Sequence, residues 1–315
     1  MNCYGKEGRP FFFMFDFEMI KPVIHPLDKL PEGIIIDMPV YDNTDSLRAD
    51  NNKKIILEAE PVSPGIYKKA FYKAIKHISH GNSYLLNLTF PARITINTGL
   101  EEIFYQSRAK YRLLYDDEFL VFSPETFVRI DEPGTIRSYP MKGTIDASVR
   151  DAENVILKDE KEKAEHNTIV DLLRNDISMH ADNVKLVRYR YIDTINTGRG
   201  KLLQVSSEIE GSLGPGWKAK AGDIITSMLP AGSVSGAPKD QTVRIIKECE
   251  IMERGYYTGI FGIFTGKEID SAVMIRYIEQ NETGYVYRSG GGITYLSEAE
   301  KEYNEIIKKI YVPVG

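Results

Sequence analysis

The chain has 315 residues, a formal net charge of −5 and 27% charged residues, with lysine and arginine spread along its length. That size buries a sizeable core as one large domain or two intertwined layers. The scattered basic charge argues against nucleic acid or an anionic membrane surface as partner. Two cysteines, Cys3 and Cys249, form neither a metal-type spacing nor a disulfide framework and fit a reducing compartment. No apolar run approaches the roughly 20 residues that span a bilayer. The apolar start lacks the basic head and cleavage site of a secretory signal, so a cytoplasmic protein is expected.

In chain order, strand-like runs come first: FFFMFDFEMI from Phe11 and GIIIDM from Gly33. The polar stretch 42–54 reads as a loop. Helical apolar spacing follows, opened by Ser63 and Pro64 and closed by Gly81. An apolar strand-length run covers 83–96, and a β-rich block extends from Glu118 to Ile145. One charged helix is predicted over 151–176, then strands over 183–192 and 202–209. Helices over 220–229 and 238–254, three more strands (259–266, 271–278, 284–293) and a closing helix over 297–310 complete the pattern. Strands and helices come in batches without strict βαβ alternation. The expected class is therefore α+β, with layered antiparallel sheets and outer helices. Residues 1–60 read as a short β-rich portion, and 61–315 as the main catalytic domain.

Several stretches have residue types suited to chemistry. Glu162 and Glu165 lie three apart on one predicted helix, and Glu302 and Glu305 lie three apart on the last, so each pair shares a face. Convergence of the four would call for a cation, and hard oxygen ligands select Mg²⁺. Solvated helix faces account for the same spacing. LPAGSVSGAPK, with Pro238 read as the first helical residue, turns backbone N–H groups toward a helix N-terminus, a natural anion site. RSGGGITY offers a second close backbone approach at Gly290, Gly291 and Gly292. Arg276 interrupts an apolar strand and calls for a carboxylate partner if buried. Lys142 in YPMKGT reads, on its own, as a turn lysine facing water.

The segments FSPE, PMKGT, EKAEHNTIVDLLRND, AGSVSGAPK, YYTGIFG, MIRY and GGGI with EAEKEYNE occur in the order found in the chorismate-binding family. The resemblance covers residues 61 to 311. Members of that family are the anthranilate, aminodeoxychorismate, isochorismate and salicylate synthases. The resemblance implies their layered fold and a Mg²⁺ over chorismate. Glu165 and Glu305 correspond to the ligands, with Glu162 and Glu302 acting through water. It places Arg276 and Tyr257 at a substrate carboxylate, with Thr144, Ser235, Gly236, Gly290–Gly292 and Lys309 around the pocket. Lys142 resembles the covalent nucleophile of the aminodeoxychorismate synthases, and Glu125 the acid that protonates the departing C4 hydroxyl. Burial, Arg276 and the cation are expected to keep the Lys142 amine neutral. Where isochorismate and salicylate synthases carry a water-activating lysine, this chain has Leu85. The histidine common in anthranilate synthases corresponds to Gln204. These positions favour C4 amination, with anthranilate or isochorismate synthesis and non-catalytic chorismate binding as the alternatives. Ammonia is expected from a separate glutamine amidotransferase subunit. Cys3 lies near a terminus read as mobile, Cys249 reads as a buried helix thiol, and none of the five histidines forms a motif with either.

Overall fold

The structure, a computed structural model, describes residues 1–44, 54–197 and 200–314. Most of the predicted 42–54 loop lies outside the described residues. Two nine-stranded antiparallel sheets form the body. In the first, the order is Met141–Asp146, Gly200–Leu213, Thr135–Ser138, Thr126–Ile130, Ile269–Val273, Ile260–Phe264, Phe11–Phe15 and Val23–Pro26, and Ala181–Thr197 also pairs with Gly200–Leu213. In the second, the order is Gly236–Ala237, Leu85–Ile96, Gly284–Ile293, Tyr277–Asn281, Phe119–Ser123, Tyr111–Tyr115, Ile34–Met38 and Tyr41–Asp42, and Leu57–Pro61 also pairs with Leu85–Ile96. The first sixty residues thus supply strands to both sheets.

Burial on both faces explains the unbroken apolar run at the start. All five residues of Phe11–Phe15 are buried. Phe11, Phe13 and Phe15 pack with Ile169, Leu173 and Ile177 of an outer helix, whereas Phe12 and Met14 pack with Ile34, Leu113 and Val121 of the second sheet. A strand covered on both sides has no need of polar alternation. The run stops at Asp16, whose Oδ1 accepts the Lys21 N–H at 2.7 Å and closes a turn.

Helix Pro64–Ser79 starts where the sequence signals it, with Ser63 Oγ accepting the Ile66 N–H and Pro64 in the first turn. Its buried residues Tyr67, Ala70, Phe71, Ala74 and Ile78 follow a helical stripe laid on the second sheet beside Lys239–Cys249 and Ala299–Lys308.

Four sequence expectations are corrected. The charged segment forms two helices, Ala152–Lys158 and Glu160–Ser178. Asp159 turns extended there, and its carboxylate accepts the Glu162 N–H at 2.9 Å, capping the second helix. Pro238 is extended and sits just before helix Lys239–Cys249, which it caps without being its first residue. The run 271–278 is two strands in different sheets, because the chain crosses between layers at Met274–Arg276. Cys3 lies in a short helix, Asn2–Glu7, packed so closely that a Cβ on Gly5 would stand 1.9 Å from Lys218 O.

Candidate active site

Two inter-sheet crossovers run side by side. Phe119–Ser123 belongs to the second sheet and Thr126–Ile130 to the first, so Pro124 and Glu125 form one crossing. Arg276, with φ +54°, lies on the other. They are joined by two backbone bonds: Val273 N–H to Glu125 O, 3.1 Å, and Phe122 N–H to Arg276 O, 3.1 Å. Crossovers free side chains from the strand alternation. Here they aim an acid and a guanidinium into the same space.

Lys142 reaches that space through a β-bulge. The register of Met141–Asp146 on Gly200–Leu213 shifts between Met141 and Thr144, with Gly143 at φ +84°. The bulge turns the lysine inward, and its Nζ lies 2.9 Å from Glu165 Oε2. The water-facing turn reading is therefore replaced by an inward lysine. Opposite stands Gly292, where a Cβ would come within 2.6 Å of Lys142 Nζ, 2.8 Å of Glu165 Oε2 and 3.3 Å of Leu85 Cδ1. A side chain at this position would displace the lysine and the carboxylate from where they stand.

The two carboxylate pairs converge, and their charged helices are not plain solvated faces. Glu165 and Glu302 are each 2% exposed. A Cβ on Gly291 would stand 3.8 Å from Glu305 Oε1 and 3.9 Å from Glu302 Oε2. Ammonium groups hold the inner oxygens. Lys161 Nζ is 2.5 Å from Glu302 Oε1 and 3.5 Å from Glu165 Oε1, and Lys309 Nζ is 2.7 Å from Glu305 Oε1 and 2.9 Å from Gly290 O. Glu165 Oε1 is buried and accepts no hydrogen bond. Among the described residues, no three acidic, histidine or cysteine side chains are already drawn together around a point. The orphaned oxygen and the all-carboxylate donor set nonetheless suit a hard cation.

The protonation states follow from these contacts. Burial pushes the Glu125 carboxyl up, only partly offset by a hydrogen bond from Ser233 Oγ and by the charges of Lys142, Arg276 and Lys309. Burial likewise pushes Glu162 up, against the pull of Lys142. For Lys142 the side chains by themselves favour the charged amine. Burial lowers its pKa, but Glu165, Glu162 and Glu305 together outweigh that and hold it protonated. Arg276 departs from the sequence reading as well. Among the described residues it has no carboxylate partner, and its guanidinium lies 5.3 Å over the Tyr311 ring. Burial lowers its pKa, and the Tyr287, Tyr311 and Tyr257 rings beside it reverse the shift.

The remaining predicted residues are placed as follows. Tyr257 is buried against Tyr277, and burial pushes its phenol up to about 12. The Ser235 hydroxyl donates to Ala231 O at 2.9 Å, within its own turn. Gly236, at φ +139°, packs so tightly on the Leu85 strand that a Cβ would stand 2.0 Å from Leu85 O. Thr144 is exposed, across the ladder from Gln204. Two residues escaped the sequence reading, Ser233 and Lys161. Ser233 sits inside a motif whose glycines drew the attention, and Lys161 was one charge in a charged run.

Residues 20–314 match the chorismate binding enzyme family, and the chain belongs to that family. The match begins earlier than the 61–311 span of the motifs. An uncharacterized PabA-like protein of Pasteurella multocida is 48% identical over 315 residues, covering 100% of this chain and 97% of its own, and one of Haemophilus influenzae is 48% identical over 314, covering 99% and 95%. Anthranilate synthase component 1 of Aquifex aeolicus is 34% identical over 195 residues, 59% of this chain and 38% of its own. Among solved structures, anthranilate synthase component I of Streptococcus pneumoniae superposes with a TM-score of 0.68 at 28% identity, over 80% of this chain and 58% of that one. An isochorismate synthase of Bacillus anthracis shares the fold, with a TM-score of 0.71 at 19% identity over 96% and 82%. The layered α+β architecture is thus the chorismate-binding fold.

Proposed function

We propose that this chain is aminodeoxychorismate synthase component I, which replaces the C4 hydroxyl of chorismate by an amino group on the way to para-aminobenzoate and folate. The observation that carries the reading is the bulge that drives Lys142 into the carboxylate cluster opposite Gly292, with apolar Leu85 beside it. A nucleophilic nitrogen is present, and the neighbouring position that would activate water has no base.

In this reading Arg276, free of any carboxylate among the described residues, takes one carboxylate of the dianionic substrate. Lys309 and the Gly290–Gly292 backbone flank the ring. Glu165 and Glu305 would hold Mg²⁺, with Glu162 and Glu302 behind them; the ion would neutralise the second substrate carboxylate and relieve the carboxylate field that keeps Lys142 charged. Lys142, 21% exposed, gives its proton to solvent water, and its Nζ forms a bond to the ring. The ring double bonds shift, and the C4–O bond breaks as Glu125 delivers its proton, so that water leaves. Ammonia adds at C4, the C–Nζ bond breaks, and the electrons return to the ring. Glu125, whose carboxyl burial pushes up and which Ser233 positions, is suited to that transfer. The ammonia comes from a separate glutamine amidotransferase subunit.

The test is incubation of the purified chain with chorismate and Mg²⁺. Ammonium at alkaline pH should yield aminodeoxychorismate by chromatography, and glutamine alone should yield nothing until an amidotransferase subunit is added. Anthranilate or isochorismate as the product, or full activity in excess chelator, would refute the assignment.

A further inference from the structure

Lys161 has no role in the chemistry above, yet it occupies the centre of the carboxylate cluster. Among the described residues it alone forms ion pairs with both helices, through Glu165 four residues along its own and Glu302 of Ala299–Lys308. The side chains of those two carboxylates are 3% and 2% exposed, so without a cation between them they would be costly to keep ionised. The lysine side chain itself keeps 28% of its surface in solvent. A flexible four-carbon stem with a wet flank can withdraw, whereas the carboxylates are fixed on their helices.

Lys142 and Lys309 are engaged differently. Lys142 is tied to Glu165 from the bulged strand, and Lys309 to Glu305 and Gly290 O, so neither bridges the helices. The orphaned Glu165 Oε1 faces the Lys161 ammonium at 3.5 Å, too far for a good hydrogen bond. One carboxylate oxygen is therefore left underused beside a replaceable charge.

We propose that Lys161 is an internal placeholder for the divalent cation: its ammonium bridges Glu165 and Glu302 while the cation is absent and withdraws to solvent when one binds. This rests on the metal reading given above. The placeholder keeps the two helices together in the empty enzyme, and it sets the affinity for the ion, because binding must first break the Lys161–Glu302 pair. The mechanism needs no bond changes, only exchange of one cation for another.

The experiment is titration of Mg²⁺ alone into the intact chain by calorimetry, with thermal unfolding followed in parallel. Lys161→Met should bind Mg²⁺ at least about tenfold more tightly than the wild type, the scale of one partly buried ion pair no longer to be broken. It should melt lower without Mg²⁺ and gain more on adding it than the wild type does. Lys161→Gln keeps an N–H donor for Glu302 without the charge, so it carries the same test if the methionine variant fails to fold. Lys161→Arg keeps the charge and should bind no more tightly than the wild type. Binding with unchanged or weaker affinity in folded Lys161→Met or Lys161→Gln would overturn the placeholder alone. Absence of Mg²⁺ binding in every form would overturn the metal reading and the placeholder with it.

Discussion

Two of the buried ionic clusters among the described residues are finished to different degrees. Around Arg254, 1% exposed, all five donors are matched: Glu250 takes two bonds, Val234 O, Asn87 O and Thr258 Oγ1 one each, and the guanidinium lies 4.3 Å over Phe17. Around Lys142 the charges meet, but Glu165 Oε1 accepts no hydrogen bond and Arg276 has no carboxylate partner among the described residues. The closed cluster acts as a joint between the 229–238 loop, through Val234 O, and the second sheet, through Asn87 O. The open one keeps unspent hydrogen-bonding capacity at Glu165 Oε1. The two clusters thus differ in how completely their polar atoms are satisfied.

That contrast can be broken by substitution. Lys142→Ala should lower ammonium-dependent turnover by about 10³-fold or more while shifting the denaturation midpoint less than any change at Arg254. Mass spectrometry of wild type quenched with chorismate and no ammonia should show an adduct on the Lys142 peptide. Wild-type turnover in the alanine variant would reduce the lysine to an electrostatic role.

Arg254→Met should act the other way. It leaves Glu250 buried without its partner and should cost about 3–5 kcal/mol in urea denaturation, with the surviving folded fraction still turning over. A loss confined to activity would move Arg254 into the site and erase the distinction.

Glu125→Gln sharpens the open cluster. It keeps the hydrogen bond from Ser233 but has no proton to give, so turnover should fall by about 10²-fold or more with the fold intact. Because burial raises the Glu125 carboxyl, wild-type activity should also decline as pH rises through that elevated value, and the variant should lack this limb.

The smallest effect is at Cys249, where burial pushes the thiol up to about 11. At pH 8 alkylation should stop at exposed Cys3, with Cys249 reacting only on unfolding. Since the folded state retains this proton more strongly, its contribution to stability is complete below about 9 and is lost as pH climbs toward about 11. Rapid double labelling of the folded chain would mean that helix Lys239–Cys249 opens easily.

Much of this molecule is legible in its sequence. Helix Pro64–Ser79 could be read because its cap, its first-turn proline and its apolar stripe are all local. The apolar runs gave the strands because burial on both faces removes polar residues within a few positions. The ordered motifs gave the family, since each is a short contiguous string. Local signals failed where the outcome depends on distant chain. Nothing in 271–278 announces that the strand changes sheets, and nothing in the charged segment announces the break at Asp159. A lysine between proline and glycine has the same local appearance whether it faces water or Glu165. Only the pairing of Met141–Asp146 with Gly200–Leu213 creates the bulge that decides it. Nor could the sequence give the Lys142 charge, which depends on three carboxylates from two helices far along the chain. The sequence determined which groups were available; the packing of one sheet on the other decided which of them meet, because electrostatic and steric contacts depend on distance in space and are indifferent to distance along the chain.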